Sequence, residues 1–282
     1  GTVDVRASGY PQQTGPGSST GGGSHGGLGA EAPTNKCYGS ILNPIQLGSS
    51  ATYISGGGAV HLDITGNTVV NGNILAGCLP IDNFDASGGS LYLRTGTLSG
   101  TGMLSVAGGP VSGASFSERG GGGGRMAIRL TGAASWGNVR LLAHGGVAGP
   151  GNPTTNGAAG TIYVETPADF GPGFGRVTID NQGVFTNTVT EFPPTTNEVL
   201  EGVCLVITNK ARVGMKYNTT IRDLYIATNS FLALGSRLLY VDSIEHPLDG
   251  SARRGRGATN LVDHYSQVIW IGQPGGSVFF IR

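Results

Sequence analysis

Chemistry in this 282-residue chain would have to come from the few ionisable side chains that fall on outward positions of short alternating segments. His61, Asp63, Arg94, Arg129 and Arg140 occupy such positions, and His61, Tyr92 and Arg129 come near one another if the segments stack. Glycoside cleavage needs two facing carboxyl groups, whereas Asp63, Asp82, Asp85, Glu118, Glu165 and Asp180 are scattered, so the outward positions read as a solvated polar face. Asp82-Asn83-Phe84-Asp85 offers oxygen ligands of the kind Ca²⁺ takes, but it lacks a periodic Asp and reads equally as a polar turn. His25, His61, His144, His246 and His264 show no ligand spacing, and His25 reads as a local hydrogen-bonding residue in a Gly-rich loop. Cys37, Cys78 and Cys204 are odd in number with no CxxC pair, which argues against zinc. A Cys37–Cys78 disulfide and three buried free thiols both fit that count. No GxSxG elbow or phosphate-binding loop is present, and Gly120–Gly124 leads into a strand, not into a helix N-terminus that could hold an anion. The expectation is a protein that is not an enzyme and needs no cofactor.

Composition narrows the class further. Gly numbers 52 and Pro 14, and only 12 % of residues are charged, with 17 basic and 17 acidic side chains cancelling. A nucleic-acid binder carries a basic excess; this chain has none. Collagen needs Gly at every third position, and these glycines cluster instead. No apolar run approaches the ~20 residues of a membrane span. With 38 % hydrophobic residues the chain is not a disordered polar one. It opens at Gly1 without Met or a leader, which predicts a mature or excised segment.

Internal repeats organise what remains. GGGAVHLDITGNTVVNGNILAGC (56–78), GGSLYLRTGTLSGTGMLSVAGG (88–109), GGGRMAIRLTGAASWGNVRLLAHGG (122–146) and AAGTIYVETPADFGPGFGRVTIDNQG (158–183) share a plan. A Gly-rich lead is followed by a short strand, a corner, a second short strand and a Gly-rich exit. The corners begin at Thr65, Thr95, Thr131 and Thr166, spaced by 30, 36 and 35 residues. Each first strand alternates, placing Val60, Leu62 and Ile64, then Leu91 and Leu93, then Met126, Ile128 and Leu130, then Ile162 and Val164 on one face. One such unit cannot bury a core, but a stack of them can. The glycines are assigned to the corners, where they supply positive φ. The inserts at about 78–89, 109–124 and 146–160 are expected to project from one side.

The fold class expected is therefore all-β: a single-stack parallel β-helix, or β-solenoid, with Gly-rich loop insertions, running as one unit over 1–282; a β-sandwich is the alternative. Within it, 1–55 is an N-terminal strand plus a Gly-rich tract, GPGSSTGGGSHGGLG, read either as a flexible linker or as a loop draped over the stack. Residues 56–183 hold the Gly-rich repeats. Residues 184–282 form Gly-poor coils, with strands near 203–209, 211–217, 220–228, 230–235 and 237–243, and C-terminal strands at 268–271 and 277–281.

The run GGGSHGGLG, then CYGS, GGGAVHLDITG, GGSLYLRTGTLSG and GGGGGRMAIRLTG, resembles Gly-rich exported bacterial β-solenoid surface proteins of the adhesin-like kind. The resemblance covers residues 1–183 clearly and the remainder weakly. It implies an extracellular or cell-surface structural role and transfers no active-site residue. Open solenoid edges invite strand addition, so Val3 and Val5 at one end and Val278, Phe279, Phe280 and Ile281 at the other are the expected assembly strands. They predict a homo-polymer: a fibre, sheath or surface layer built head to tail. The second reading is a protein that binds or cleaves surface polysaccharide, with Tyr92, Trp136 or Trp270 as sugar-stacking surfaces.

Overall fold

A computed structural model describes residues 1–79, 85–109, 119–149, 153–242 and 268–271. Among them the chain is all-β, with nineteen short strands and one 3₁₀ turn. After β1 (Thr2–Asp4), strands come in coil-like sets: β2 (Ala59–Asp63), β3 (Asn67–Val69) and β4 (Asn73–Leu75); then β5 (Ser90–Thr95), β6 (Thr97–Ser99) and β7 (Met103–Ser105); then β8 (Arg125–Leu130) and β9 (Arg140–Leu142). Each strand pairs in parallel with its counterpart in the next set. Joined by β10 (Thr161–Glu165), the first strands form two apolar ladders in register: Val60, Leu91, Met126, Ile162 and Leu62, Leu93, Ile128, Val164. These side chains, with Ile74, Leu98, Leu104 and Val106, make one core, each fully buried aliphatic contributing about 1.5–3 kcal/mol. The Thr-Gly corners stack as the repeat predicts, Gly96 N donating to Gly66 O at 2.8 Å and Gly132 N to Gly96 O at 2.7 Å.

The fourth repeat departs from the plan. Thr166-Pro167 does not stack on the earlier corners. Asp169 Oδ2 instead accepts from Thr166 N at 2.8 Å and Thr166 Oγ1 at 3.1 Å, which closes a local turn. The chain then doubles back, so β11 (Arg176–Asp180) pairs antiparallel with β10, Tyr163 facing Val177. Beyond it run β12 (Thr190–Phe192), β13 (Cys204–Thr208), β14 (Arg212–Met215), β15 (Thr219–Ile221), β16 (Asp223–Ile226), β17 (Phe231–Ala233), β18 (Leu239–Asp242) and β19 (Val268–Ile271). Pairing is parallel again, in the orders β11-β13-β16, β12-β14-β17 and β15-β18-β19. The expected uniform stack is thus interrupted by one antiparallel junction, and its seven-stranded sheet, β16-β13-β11-β10-β8-β5-β2, is mixed.

That junction moves the core from one face of the sheet to the other. Ile162 and Val164 bury with the first core, while their antiparallel partners Thr178 and Arg176 on the same face are exposed or half-buried. On the opposite face Tyr163 and Val177 join Ile179, Leu205, Ile207, Leu224 and Ile226 in a second core.

The described glycine clusters are neither corners nor projecting loops; 80–84, 110–118 and 150–152 of the expected inserts lie outside the described residues. Every residue of 21–30, 85–89, 120–124 and 156–160 is buried. Their amides bond to neighbouring segments in steps of three. Gly120 N donates to Thr155 O and Gly123 N to Ala158 O, both at 2.9 Å; Asp85 N donates to Arg119 O and Gly88 N to Gly122 O, both at 3.0 Å. Gly27 N to Gly123 O and Ala30 N to Gly120 O, both at 2.9 Å, repeat the step in the opposite sense. Between these steps Gly122 turns to Gly23 O at 2.9 Å and Gly124 to Val106 O at 2.7 Å. Segments that return to one neighbour every third residue have the three-per-turn geometry of polyproline II, here bonded sideways to several neighbours. A side chain has no room: a Cβ on Gly122, Gly123, Gly124 or Gly160 would overlap a carbonyl of Gly27, Ala143, Gly89 or Gly124 respectively. None of these glycines has positive φ; that conformation belongs to others such as Gly100 and Gly235. The assignment of these glycines to corners is corrected accordingly; of the N-terminal tract, 21–29 runs through the interior and is neither linker nor draped loop, whereas 15–20 is mostly half-buried or exposed.

A methyl group at Gly123 therefore has no way to fit without moving backbone. Gly123→Ala is expected to cost at least about 4 kcal/mol or to abolish cooperative unfolding in a thermal melt. Gly66→Ala, where nothing lies within 4 Å of the added Cβ, should shift stability by no more than about 0.5 kcal/mol. Equal tolerance of the two substitutions would refute the packed glycine interior.

Candidate functional site

Strand register brings the sequence-predicted polar residues together on the outward face of β2, β5, β8 and β10. Asp63, Arg94, Arg129 and Glu165 are consecutive cross-strand partners. Arg94 Nη1 lies 3.1 Å from Asp63 Oδ1, and Arg129 Nη1 lies 4.0 Å from Glu165 Oε1. His61 stacks on Tyr92 with ring centroids 4.6 Å apart, and the Arg129 guanidinium sits 6.0 Å from the Tyr92 ring and 5.9 Å from that of Tyr163. Glu165 Oε2 accepts from Tyr163 Oη at 2.6 Å and from Gly173 N at 2.8 Å. Burial, then that carboxylate, pushes the Tyr163 phenol up. Positive and negative groups are paired along this face, and an exposed pair such as Arg94–Asp63 contributes about 1 kcal/mol at most. Tyr92 is buried in the cluster that contains Ile41, so it cannot serve as a sugar platform. Arg140 stands on β9 in a different sheet.

A second group of charges lies in or against the interior, with no signature in the sequence. Arg125 is fully buried; its Nε donates to Tyr38 O at 2.7 Å and its Nη1 to Thr161 Oγ1 at 3.0 Å. Two carboxylates from distant sequence hold residues 35–42 against it. Glu191 Oε2 accepts from Cys37 N at 2.9 Å, and Glu198 Oε1 accepts from Ser40 Oγ at 2.8 Å and from Ile41 N and Leu42 N at 3.0 Å. Hydrogen-bonded carboxylates of this kind are the form in which buried charge is tolerated. His25 is enclosed, its Nδ1 3.0 Å from Gly88 O and its ring 4.6 Å from that of Tyr38. Burial, reinforced by the Arg125 charge, lowers its pKa to about 3, so His25 is a neutral structural residue as its sequence context suggested.

The cysteines are free and buried, so the Cys37–Cys78 bridge is not formed. Cys37 sits beside Glu191, Cys78 packs with Ile54 and Ala86, and Cys204 Sγ accepts from Arg222 Nη2 at 2.9 Å. Burial pushes the Cys37 thiol up to about 12. Of the Ca²⁺ candidate, Asp85 is buried, while Asp82, Asn83 and Phe84 lie outside the described residues. Among the described residues no three His, Cys, Asp or Glu side chains converge as metal ligands.

Space for a ligand exists where the sheet reverses. An open groove of about 750 Å³ lies over β10 and β11. Ile162, Val164 and Leu141 form its apolar floor and Trp136 a wall; the 166–169 turn and β11 supply its polar side. It exists because the chain turns back after β10, so the face of Ile162 and Val164 continues into Thr178, Arg176 and Asp180. Asp180 is oriented locally, its Oδ1 accepting from Gln182 N at 2.6 Å and its Oδ2 from Asn209 Nδ2 at 2.9 Å. The sequence pointed to Trp136 as an aromatic surface but not to its neighbours, since the groove depends on the reversal.

Of the expected assembly residues, Val3 lies on β1 and Val5 just beyond it. β1 pairs in parallel with β4 of its own chain, Val3 opposite Ile74, and Val5 N continues the pairing to Leu75 O at 2.8 Å. Val278, Phe279, Phe280 and Ile281 lie outside the described residues, and so does the side chain of Trp270. Among the described residues no helix is long and apolar enough to cross a membrane. Comparison with family models, with curated proteins and with solved structures finds no significant match.

Two measurements test the interior. An unfolded His25 with the ordinary pKa of 6.5 takes up a proton as pH falls, while the native one does not until about 3. Its contribution to stability is therefore intact above pH 6.5 and declines below it, by on the order of 1 kcal/mol per pH unit. Urea unfolding at pH 7 and pH 5 should show this slope reduced in His25→Gln. Thiol titration at pH 8 should leave Cys37 and Cys78 unmodified in the native protein and reach three thiols per chain after denaturation; fewer would indicate a bridge.

Proposed function

We propose that this chain is an extracellular, non-catalytic structural subunit, a β-solenoid of two opposed stacks, which associates with copies of itself through the open end of its first coil. The observation that carries the reading is the end formed by β1, β2 and β3. Each is the last strand of its sheet, so each has an outer edge without a strand partner among the described residues. Val3 and Val69 on those strands are 52 % and 64 % exposed, and Leu62 and Ile64, which pack on the first core, are only half-buried. Strand edges flanked by exposed aliphatics are templates for further pairing. A formal net charge of zero keeps repulsion between copies small. Export and surface location rest on the resemblance of the Gly-rich repeats to exported solenoid proteins, and a backbone packed this closely suits exposure to proteases.

Sedimentation and negative-stain images should show concentration-dependent assemblies larger than one chain. The double substitution Val3→Lys, Val69→Lys, placed on exposed side chains, should shift the population to monomer by at least about tenfold in dissociation constant without lowering the melting temperature. A wild-type protein that stays monomeric at high concentration overturns the proposal.

A further inference from the structure

We infer that the groove over β10 and β11 is a binding site for an uncharged oligosaccharide, independently of how copies of the chain associate. Its size falls in the range of ligand-binding clefts, and its lining has the two-sided character that a sugar requires. A pyranose ring presents C–H groups on its faces and hydroxyls around its rim, so it is held by an apolar or aromatic surface together with in-plane donors and acceptors. The half-buried Trp136 and Leu141, at the margin of the core that contains Ile162 and Val164, supply the first.

The second comes from groups with capacity to spare. Arg176 is exposed and makes no hydrogen bond or ion pair among the described residues, so its planar donors are available. The Trp136 indole N–H has no acceptor among them either, and an amphipathic ring with a free polar edge is suited to an interface of this kind. Asp169 uses Oδ2 to hold the Thr166 turn, which leaves Oδ1 as an acceptor fixed in place. The Thr178 hydroxyl can donate or accept. Asp180 is oriented by Gln182 and Asn209, and with Asp169 it sets two carboxylates against the single guanidinium of Arg176 in the lining, a net negative character that disfavours an anionic ligand. The mixture of donors and acceptors suits a ligand rich in hydroxyls. The open form of the groove suits a stretch of a longer glycan.

Calorimetric and tryptophan-fluorescence titrations of the full chain test this, with cellohexaose, mannohexaose and xylohexaose as uncharged probes and hexagalacturonate as the charged one. At least one uncharged oligomer should bind with a dissociation constant between roughly micromolar and millimolar. Trp136→Ala should weaken it about tenfold or more and Arg176→Gln several-fold, whereas Trp270→Phe, on a strand of another sheet, should leave it unchanged. Arg176 is exposed and unbonded, so its variant remains informative if Trp136→Ala loses its cooperative melt. Binding of hexagalacturonate alone, binding of none of the uncharged oligomers, or an affinity untouched by Arg176→Gln and by a folded Trp136→Ala overturns the inference.

Discussion

Backbone meeting backbone, without side chains between, is the constraint on which the rest of this molecule depends. The segments around residues 21–30, 85–89, 120–124 and 156–160 approach so closely that a Cβ at many of their positions would overlap a neighbouring carbonyl. Hydrophobic burial cannot hold such a region together, because glycine has almost nothing apolar to bury. What holds it is dense pairing of amides with the carbonyls of neighbouring segments, away from water, where an unmet backbone group is costly. Glycine loses more conformational entropy on ordering than any other residue. The arrangement is therefore sustainable only because the flanking strands, with their aliphatic ladders, fix the ends of each glycine segment.

Those ladders sit on a single sheet with two personalities. In the half built from β2, β5, β8 and β10, one face is aliphatic and the other carries the Asp63–Arg94 and Arg129–Glu165 pairs. In the half built from β11, β13 and β16 the assignment is reversed. The antiparallel β10–β11 junction allows the exchange, since opposed residues share a face while the chain that would have covered it has turned away. The same event leaves Trp136, Arg176 and Asp169 around a groove at the margin of the first core, so this ligand-like feature follows from a topological change. The interior charges play a different part. Glu191 and Glu198, by accepting backbone amides of residues 35–42, tie the loop after the N-terminal glycine tract to the second half of the chain.

Several of these features could be read before any coordinates. Alternation at Val60-His61-Leu62-Asp63 and Met126-Ala127-Ile128-Arg129 specifies strands with one apolar face, and the recurring Thr-Gly corners specify that those strands stack in register. The cadence after residue 200 likewise marked β13, β14, β17 and β18, but read 220–228 as one strand where the chain makes two, β15 and β16, in different sheets. The fourth repeat misled because TPADFGPGFG looks like another corner with a longer insert. Whether it stacks or reverses depends on the Asp169 carboxylate closing a turn on Thr166, which a pattern of apolar residues does not record.

The all-β character, the register of the first three coils and the lack of a basic excess or a long apolar run are written in the chain itself, because side-chain period and charge are local properties. That the glycine tracts form an interior, that Arg125 and His25 are buried, and that the sheet changes direction at β10 follow from packing in three dimensions. Glycine carries no side chain by which a sequence could name its neighbour. Its role as linker, corner or core is therefore set by which other backbones come close enough to exclude a methyl group.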